Sequence, residues 1–298
     1  MSNDTGDTAS THDGSSGAAP DVVDIWVNLV TEQSAAQFLG QESNANIPGY
    51  LGGSGAAVGA SQLIERMDSL GVATGILTPG LTRTGVEEAL EVADAHPGRF
   101  LVAATIVDPG KPTRNVRHLR DLAQHPRFSL VRVAPLFTQV AIDDAKHYPV
   151  YQLCEELGLP VSINVGVPGP RVRSRVQHPE LLEDVLIDFP ELVVIGAHMG
   201  HPYEELLMNY MRKWDTLYLS CTAYAPRYFD PALVAFMGTS RYRGRVLWGS
   251  DEPWFPMDRS LTEATALDLD ADAMALFLGG TARRLLDRTR GDEATPAG

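Results

Sequence analysis

The chain has 298 residues, a length that fits one large α/β domain or two small ones and is ample for a buried core. Its 24 Lys and Arg against 38 Asp and Glu leave a formal net charge of −14, which argues against phosphate backbones and anionic lipid as partners, so neither a nucleic acid nor a membrane is expected. A hydrophobic content of 44% excludes a disordered chain, and two cysteines, Cys154 and Cys221, are too few for a disulfide framework or a Cys-rich zinc site, so the cytoplasm is the expected location.

Residues 1–20 are rich in Ser, Gly, Thr and Asp, without a basic start or an apolar segment, and read as a disordered tail. Residues 291–298 read the same way, which leaves 21–290 as one folded unit. Its first predicted strand covers 22–29 (VVDIWVNL), and a Gly- and Asn-rich stretch follows over 30–59. That stretch is too long for an ordinary strand-to-helix loop, so it reads as a lid or as a dimer-contact arm. Leu63, Ile64, Met67 and Leu70 repeat at helical spacing within a predicted helix over 61–70. Predicted strands then lie at 73–78, 100–107, 129–137, 161–165, 192–197, 217–222 and 245–248. Predicted helices at 86–95, 113–124, 150–157, 179–189, 203–214, 231–237 and 271–288 fall between and after them.

Continuous apolar strands separated by helices imply a parallel sheet covered on both faces. Eight such units in one chain of this length predict a (β/α)8 TIM barrel. The rival, an open doubly wound sheet, would carry a Gly-rich phosphate loop after the first strand, and none follows Leu29.

A TIM barrel does its chemistry at the C-terminal ends of its strands, and the polar residues predicted there form a set. Trp26 and Asn28 close the first strand, Asp108 the third, and Arg132 lies on the fourth. Asn164 closes the fifth, His198 the sixth within AHMGHP, Thr222 and Tyr224 the seventh, and Asp251 the eighth within WGSDEP. Singly, a strand-end histidine can serve only to bond a loop and an aspartate only to cap a turn. Together, at one mouth, they predict acid–base chemistry. Three arginines at 171, 173 and 175 in an acidic chain form either a solvated loop or an anion clamp, with Arg171 as the candidate ligand. The cysteines have no catalytic partner by spacing and read as buried thiols.

AHMGHP before a helix and GSDEP after the last strand resemble the metal-dependent amidohydrolase superfamily, in its amidohydrolase-2 branch of decarboxylases and ring-cleavage hydrolases. The resemblance covers residues 22–288 and implies a barrel and a homodimer. It also implies metal-binding histidines in an Asp-x-His-x-His motif on the first strand and another at the end of the fifth. The corresponding positions hold Trp26, Asn28 and Asn164, while His198 and Asp251 are retained. An indole nitrogen is a donor and cannot ligate, and amide oxygens are weak, neutral ligands suited to hard ions. No tightly bound cofactor is therefore expected. A weakly held divalent ion would have to use Asp251, Asn28, Asn164 and His198.

With the metal gone, Asp251 is the candidate general base and His198 the candidate acid. Asn28 and Asn164 are candidate donors to a developing oxyanion, Trp26 an aromatic wall, and Arg132, Arg171 and Tyr224 further binding residues. The expected ligand is small, aromatic or anionic. The first functional reading is metal-independent hydrolysis of an activated acyl group: a lactone, thioester or β-dicarbonyl. The alternatives are decarboxylation of an aromatic or unsaturated acid, and a non-catalytic binding or scaffold barrel.

Overall fold

The structure, a computed structural model, describes residues 21–51, 55–79 and 85–286, so both expected tails lie outside the described residues. Eight strands form one parallel sheet in sequential order: β1 (Val22–Val27), β2 (Val72–Leu77), β3 (Phe100–Ile106), β4 (Phe128–Val133), β5 (Val161–Asn164), β6 (Val194–Ala197), β7 (Leu217–Ser220) and β8 (Val246–Leu247). The segment after β8 runs along β1 and closes the ring. The Ile25 N–H donates to the Trp248 carbonyl at 3.4 Å, the Asp251 N–H to the Trp26 carbonyl at 2.9 Å, and the Asn28 N–H to the Glu252 carbonyl at 3.0 Å. The predicted TIM barrel is the observed fold.

The side-chain alternation of the strands separates two cores. On β3, Phe100, Val102, Ala104 and Ile106 join the large cluster beneath the surrounding helices. Leu101 and Ala103 join a smaller cluster with Val23, Ile25, Ile76, Leu130, Ile195 and Leu247, which fills the barrel. Most outer helices follow the predicted order: Ala60–Leu70, Val86–Ala95, Pro112–Leu122, Tyr148–Glu156, Leu182–Asp188, Glu204–Lys213 and Pro231–Gly238.

The differences have local causes. A strand was predicted to continue to residue 137, but Pro135 opens a helical turn, Pro135–Thr138, because its nitrogen has no proton to give a ladder. The helix Met257–Thr265 was not predicted. Its buried face is Met257, Ser260 and Ala264, too polar and too small to show as an apolar period. The predicted helix 271–288 is interrupted by a wide π turn at Leu276–Gly280. There the Phe277 carbonyl accepts the Trp248 N–H at 3.0 Å. Gly279 lies so close to β1 that a Cβ would overlap the Asp21 carbonyl, so only glycine lets this segment seat against the barrel.

The long stretch after β1 contains two helices, Glu32–Leu39 and Ile47–Leu51, the first capped by reciprocal bonds between Thr31 and Ser34. It folds over the C-terminal mouth of the barrel. Asn46 Nδ2 donates to the Gly169 carbonyl at 2.9 Å, and the Arg171 N–H donates to the Ser43 carbonyl at 2.7 Å. Phe38 packs on Trp254 with ring centroids 4.6 Å apart. The described residues of this stretch cover the mouth, as the lid reading expected. No described helix is long and apolar enough to cross a membrane.

Candidate active site

Under this cover lies a cavity of about 790 Å³, counting its open mouth. Trp26, Arg132, Asn164, His198, Tyr224 and Asp251 all line it, so six predicted residues from six strand ends meet in one place. Phe38, Ile47, Tyr50, Phe137, Val165 and Trp254 supply apolar walls. Two predicted residues are placed otherwise. Arg171 is exposed and is not part of the lining, although Pro168, Gly169 and Pro170 just before it are; its backbone N–H is tied to the Ser43 carbonyl. Asn28 is buried behind the cavity wall, where it holds Asp251.

The backbone carries Asp251 and His198 in an unusual way. Asp251 has φ +79°, His198 +64°, Met199 +60° and Ala223 +55°. Each costs on the order of 1–3 kcal/mol for a residue other than glycine, and strain of this kind collects where side-chain placement matters more than stability. Asn28 Nδ2 donates to Asp251 Oδ1 at 2.8 Å and to the Glu252 carbonyl at 2.9 Å. Its own oxygen accepts from Thr78 Oγ1 at 2.6 Å. Both ends of this amide are therefore committed, and its work here is to fix one oxygen of Asp251. His198 Nδ1 lies 2.7 Å from the Thr222 carbonyl, an acceptor only, so Nδ1 carries the proton and Nε2 is the acceptor of the neutral ring.

Trp26 is fully buried at the centre. The Arg132 guanidinium carbon sits 3.8 Å from its ring centroid, and the His198 ring lies 4.9 Å away. Of the described lining residues, Arg132 alone is an Arg or Lys, so it supplies the fixed positive charge of the cavity. At the rim, His201 Nδ1 meets Glu204 Oε1 at 2.7 Å and Tyr224 Oη at 3.0 Å. Burial, with the Glu204 charge next, pushes the Tyr224 hydroxyl up to about 12, so it remains a protonated donor or acceptor at neutral pH.

Asp24 lies beneath this floor. Its Oδ1 accepts the Trp26 N–H at 3.0 Å and the Ser250 N–H at 2.9 Å, and its Oδ2 accepts the Ser250 hydroxyl. Complete burial nevertheless pushes its carboxyl up to about 7, with the Asp251 charge adding to the rise. Between about pH 4 and 7 the folded protein holds this proton more firmly than the unfolded chain does. Stability from this group is thus full below that window and is lost as pH rises through about 7. His147 works oppositely, because burial lowers its ring to about 4, and stability from it is lost as pH falls from about 6.5 toward 4. In urea unfolding at pH 5 and pH 8, Asp24→Asn is expected to gain on the unsubstituted protein at the higher pH. An unchanged difference between the two pH values counts against the raised Asp24.

Sequence reasoning missed Trp254, His201, Gln177 and the covering residues Phe38, Ile47 and Tyr50. His201 had a signal as the second histidine of AHMGHP, and Trp254 follows WGSDEP within three residues of Asp251. Gln177 had none.

A closed parallel barrel with its titratable side chains gathered at the C-terminal mouth is the architecture of a TIM-barrel enzyme. This chain belongs to the amidohydrolase-2 family, whose model, described as Amidohydrolase, matches residues 23–288. No curated protein matches the sequence. Among solved structures, an uncharacterized TIM-barrel protein from Bordetella bronchiseptica is similar at 23% identity and TM-score 0.75, covering 89% of this chain and 97% of its own. The 5-carboxyvanillate decarboxylase of Sphingomonas paucimobilis follows at 15% and 0.67, covering 90% and 99%. A dihydroxybenzoic acid decarboxylase from Polaromonas, solved with bound manganese and the inhibitor 2-nitroresorcinol, stands at 14% and 0.68, covering 91% and 98%. At these identities the likeness is one of fold.

The residues of this chain do not fit a tightly held divalent ion. Trp26 places an indole where a ligand would be needed, with Arg132 stacked on it, and a second cation beside that guanidinium would be repelled. The Asn28 oxygen is taken by Thr78. Among the described residues no three His, Cys, Asp or Glu side chains are grouped to hold an ion. Dialysis against EDTA is expected to leave ligand binding and the urea midpoint unchanged; stoichiometric zinc or manganese surviving dialysis contradicts this assignment.

Proposed function

We propose that this protein is a metal-independent carboxy-lyase acting on a small, electron-rich aromatic acid. The carrying observation is the convergence of Asp251, His198 and Arg132 on one cavity walled by aromatic rings. The decarboxylases among the structural neighbours favour this reading over the acyl hydrolysis that the sequence put first.

In this mechanism the substrate ring lies in the apolar space between Trp26, Phe137 and Trp254, and Arg132 draws its carboxylate. His198 Nε2 accepts the proton of a ring hydroxyl, which raises electron density on the carbon that bears the carboxylate. Asp251, which takes up a proton from solvent as the anionic substrate binds beside it, delivers that proton to that carbon. The carbon–carbon bond then breaks, its electron pair restores the aromatic ring, and CO2 departs. The ring oxygen takes its proton back from His198, and Asp251 is left ionised as it began, one solvent proton having been consumed. Exclusion of water strengthens each of these electrostatic contacts, and the covering helices provide that exclusion.

The test is a panel of mono- and dihydroxybenzoates followed by CO2 release and product analysis. One arene and one CO2 per substrate are expected. Acyl hydrolysis, the second reading, keeps Asp251 as a base on water; ring-cleavage lactones or thioesters giving two organic products without CO2 would establish it instead.

A further inference from the structure

On the cavity lining, the buried side-chain atoms Trp26 Nε1, Trp254 Nε1, Asn164 Oδ1 and Gln177 Oε1 have no hydrogen-bond partner among the described residues. The chemical sense is fixed for the two indoles and for Gln177. An indole nitrogen can only donate. The Gln177 amide is oriented by its other end, since Nε2 donates to the Gly166 carbonyl at 2.9 Å, and only the amide nitrogen can do that. Its oxygen is thus an acceptor, on a side chain only 2% exposed.

Gln177 is also held rigidly. The Gly166 N–H donates back to the Gln177 carbonyl at 2.9 Å, and the Val167 N–H donates to the His201 carbonyl at 2.8 Å. Gly166 has φ +86°, and a Cβ there would overlap the Gly200 backbone, so this turn is locked onto the turn that carries His198. A buried acceptor left bare in a native protein calls for an explanation, and in a cavity of this kind a ligand donor supplies one. Neither the aromatic walls nor Arg132 can tell a hydroxylated ring from a bare one; beside His198, which takes the proton of the reacting hydroxyl, Gln177 can.

We propose that Gln177 is a specificity-determining residue of this cavity, its Oε1 accepting a hydrogen bond from a hydroxyl substituent of an aromatic acid. The proposal rests on the reading of the cavity as an aromatic-acid site and adds the group by which the acid is chosen. A bound acid without a hydroxyl strands the acceptor away from water, whereas one with a hydroxyl in reach satisfies it.

The experiment measures affinity for benzoate and for 2-, 3- and 4-hydroxybenzoate by calorimetry, with tryptophan fluorescence as a second readout because Trp26 and Trp254 line the cavity. The unsubstituted protein is expected to bind one hydroxybenzoate about tenfold or more tightly than benzoate. Gln177→Met, which keeps length and removes the acceptor, is expected to reduce that preference at least several-fold, leaving what His198 contributes. Equal affinities for benzoate and all three hydroxybenzoates in the unsubstituted protein overturn the proposal, and that comparison stands even where the variant does not fold. A preference undiminished in Gln177→Met overturns it as well. CO2 release is scored separately: selective binding without turnover defeats the carboxy-lyase reading alone, and turnover with no selectivity defeats this proposal alone.

Discussion

Asp251→Asn is expected to reduce CO2 release by about 10³-fold while leaving the fold and ligand affinity close to those of the unsubstituted protein. The amide cannot deliver the proton that the reaction needs. It can still accept the hydrogen bond that Asn28 Nδ2 gives to Oδ1, at 2.8 Å in this structure. The backbone supports the substitution too, since position 251 has φ +79°, a region that asparagine tolerates better than most side chains. The variant therefore separates chemistry from architecture. Turnover is read by CO2 release and binding by tryptophan fluorescence. An unaltered rate removes Asp251 from the chemistry and with it the carboxy-lyase mechanism.

Trp26→Ala is expected to destabilise the protein by roughly 3–5 kcal/mol, the range for emptying a buried site of this size. Trp26 is 1% exposed and lies between Arg132 and His198. Its removal leaves a void at the top of the barrel and deprives the Arg132 guanidinium of the ring face on which it rests. Trp26→Phe keeps a ring in place and is expected to cost less than half as much. Urea unfolding of the two variants beside the unsubstituted protein reads both values. Equal, small losses for both would mean that the indole is not the keystone of this floor.

The barrel was legible because its strands announce themselves. The β-branched runs Val-Val-Asp-Ile-Trp-Val and Val-Ala-Ala-Thr-Ile can be buried on two faces, and helical periods separate them. Much of the cavity followed from that, since a parallel barrel sends every strand end to one side: Trp26, Arg132, Asn164, His198, Tyr224 and Asp251 meet for no more local reason. What failed to show was whatever depends on loops. Arg171 had the right chemistry but sits on a segment whose path no strand dictates. The covering helix Glu32–Leu39 buries Phe38 alone, which is too little apolar periodicity to read. Gln177 is a single polar residue on a short 3-10 turn, and its meaning lies in an unmet acceptor that only three dimensions reveal. The choice between hydrolysis and decarboxylation was illegible for a different reason: both need one carboxyl group and one imidazole.

The segment between the first two strands is stitched to the far rim by the Asn46–Gly169 and Arg171–Ser43 bonds and wedged by Phe38 against Trp254. In the proposed carboxy-lyase, a spent ring beneath this clasp leaves past those fastenings. If departure rather than bond breaking sets the tempo of that cycle, a viscous medium is expected to slow steady turnover while leaving the first burst of gas untouched.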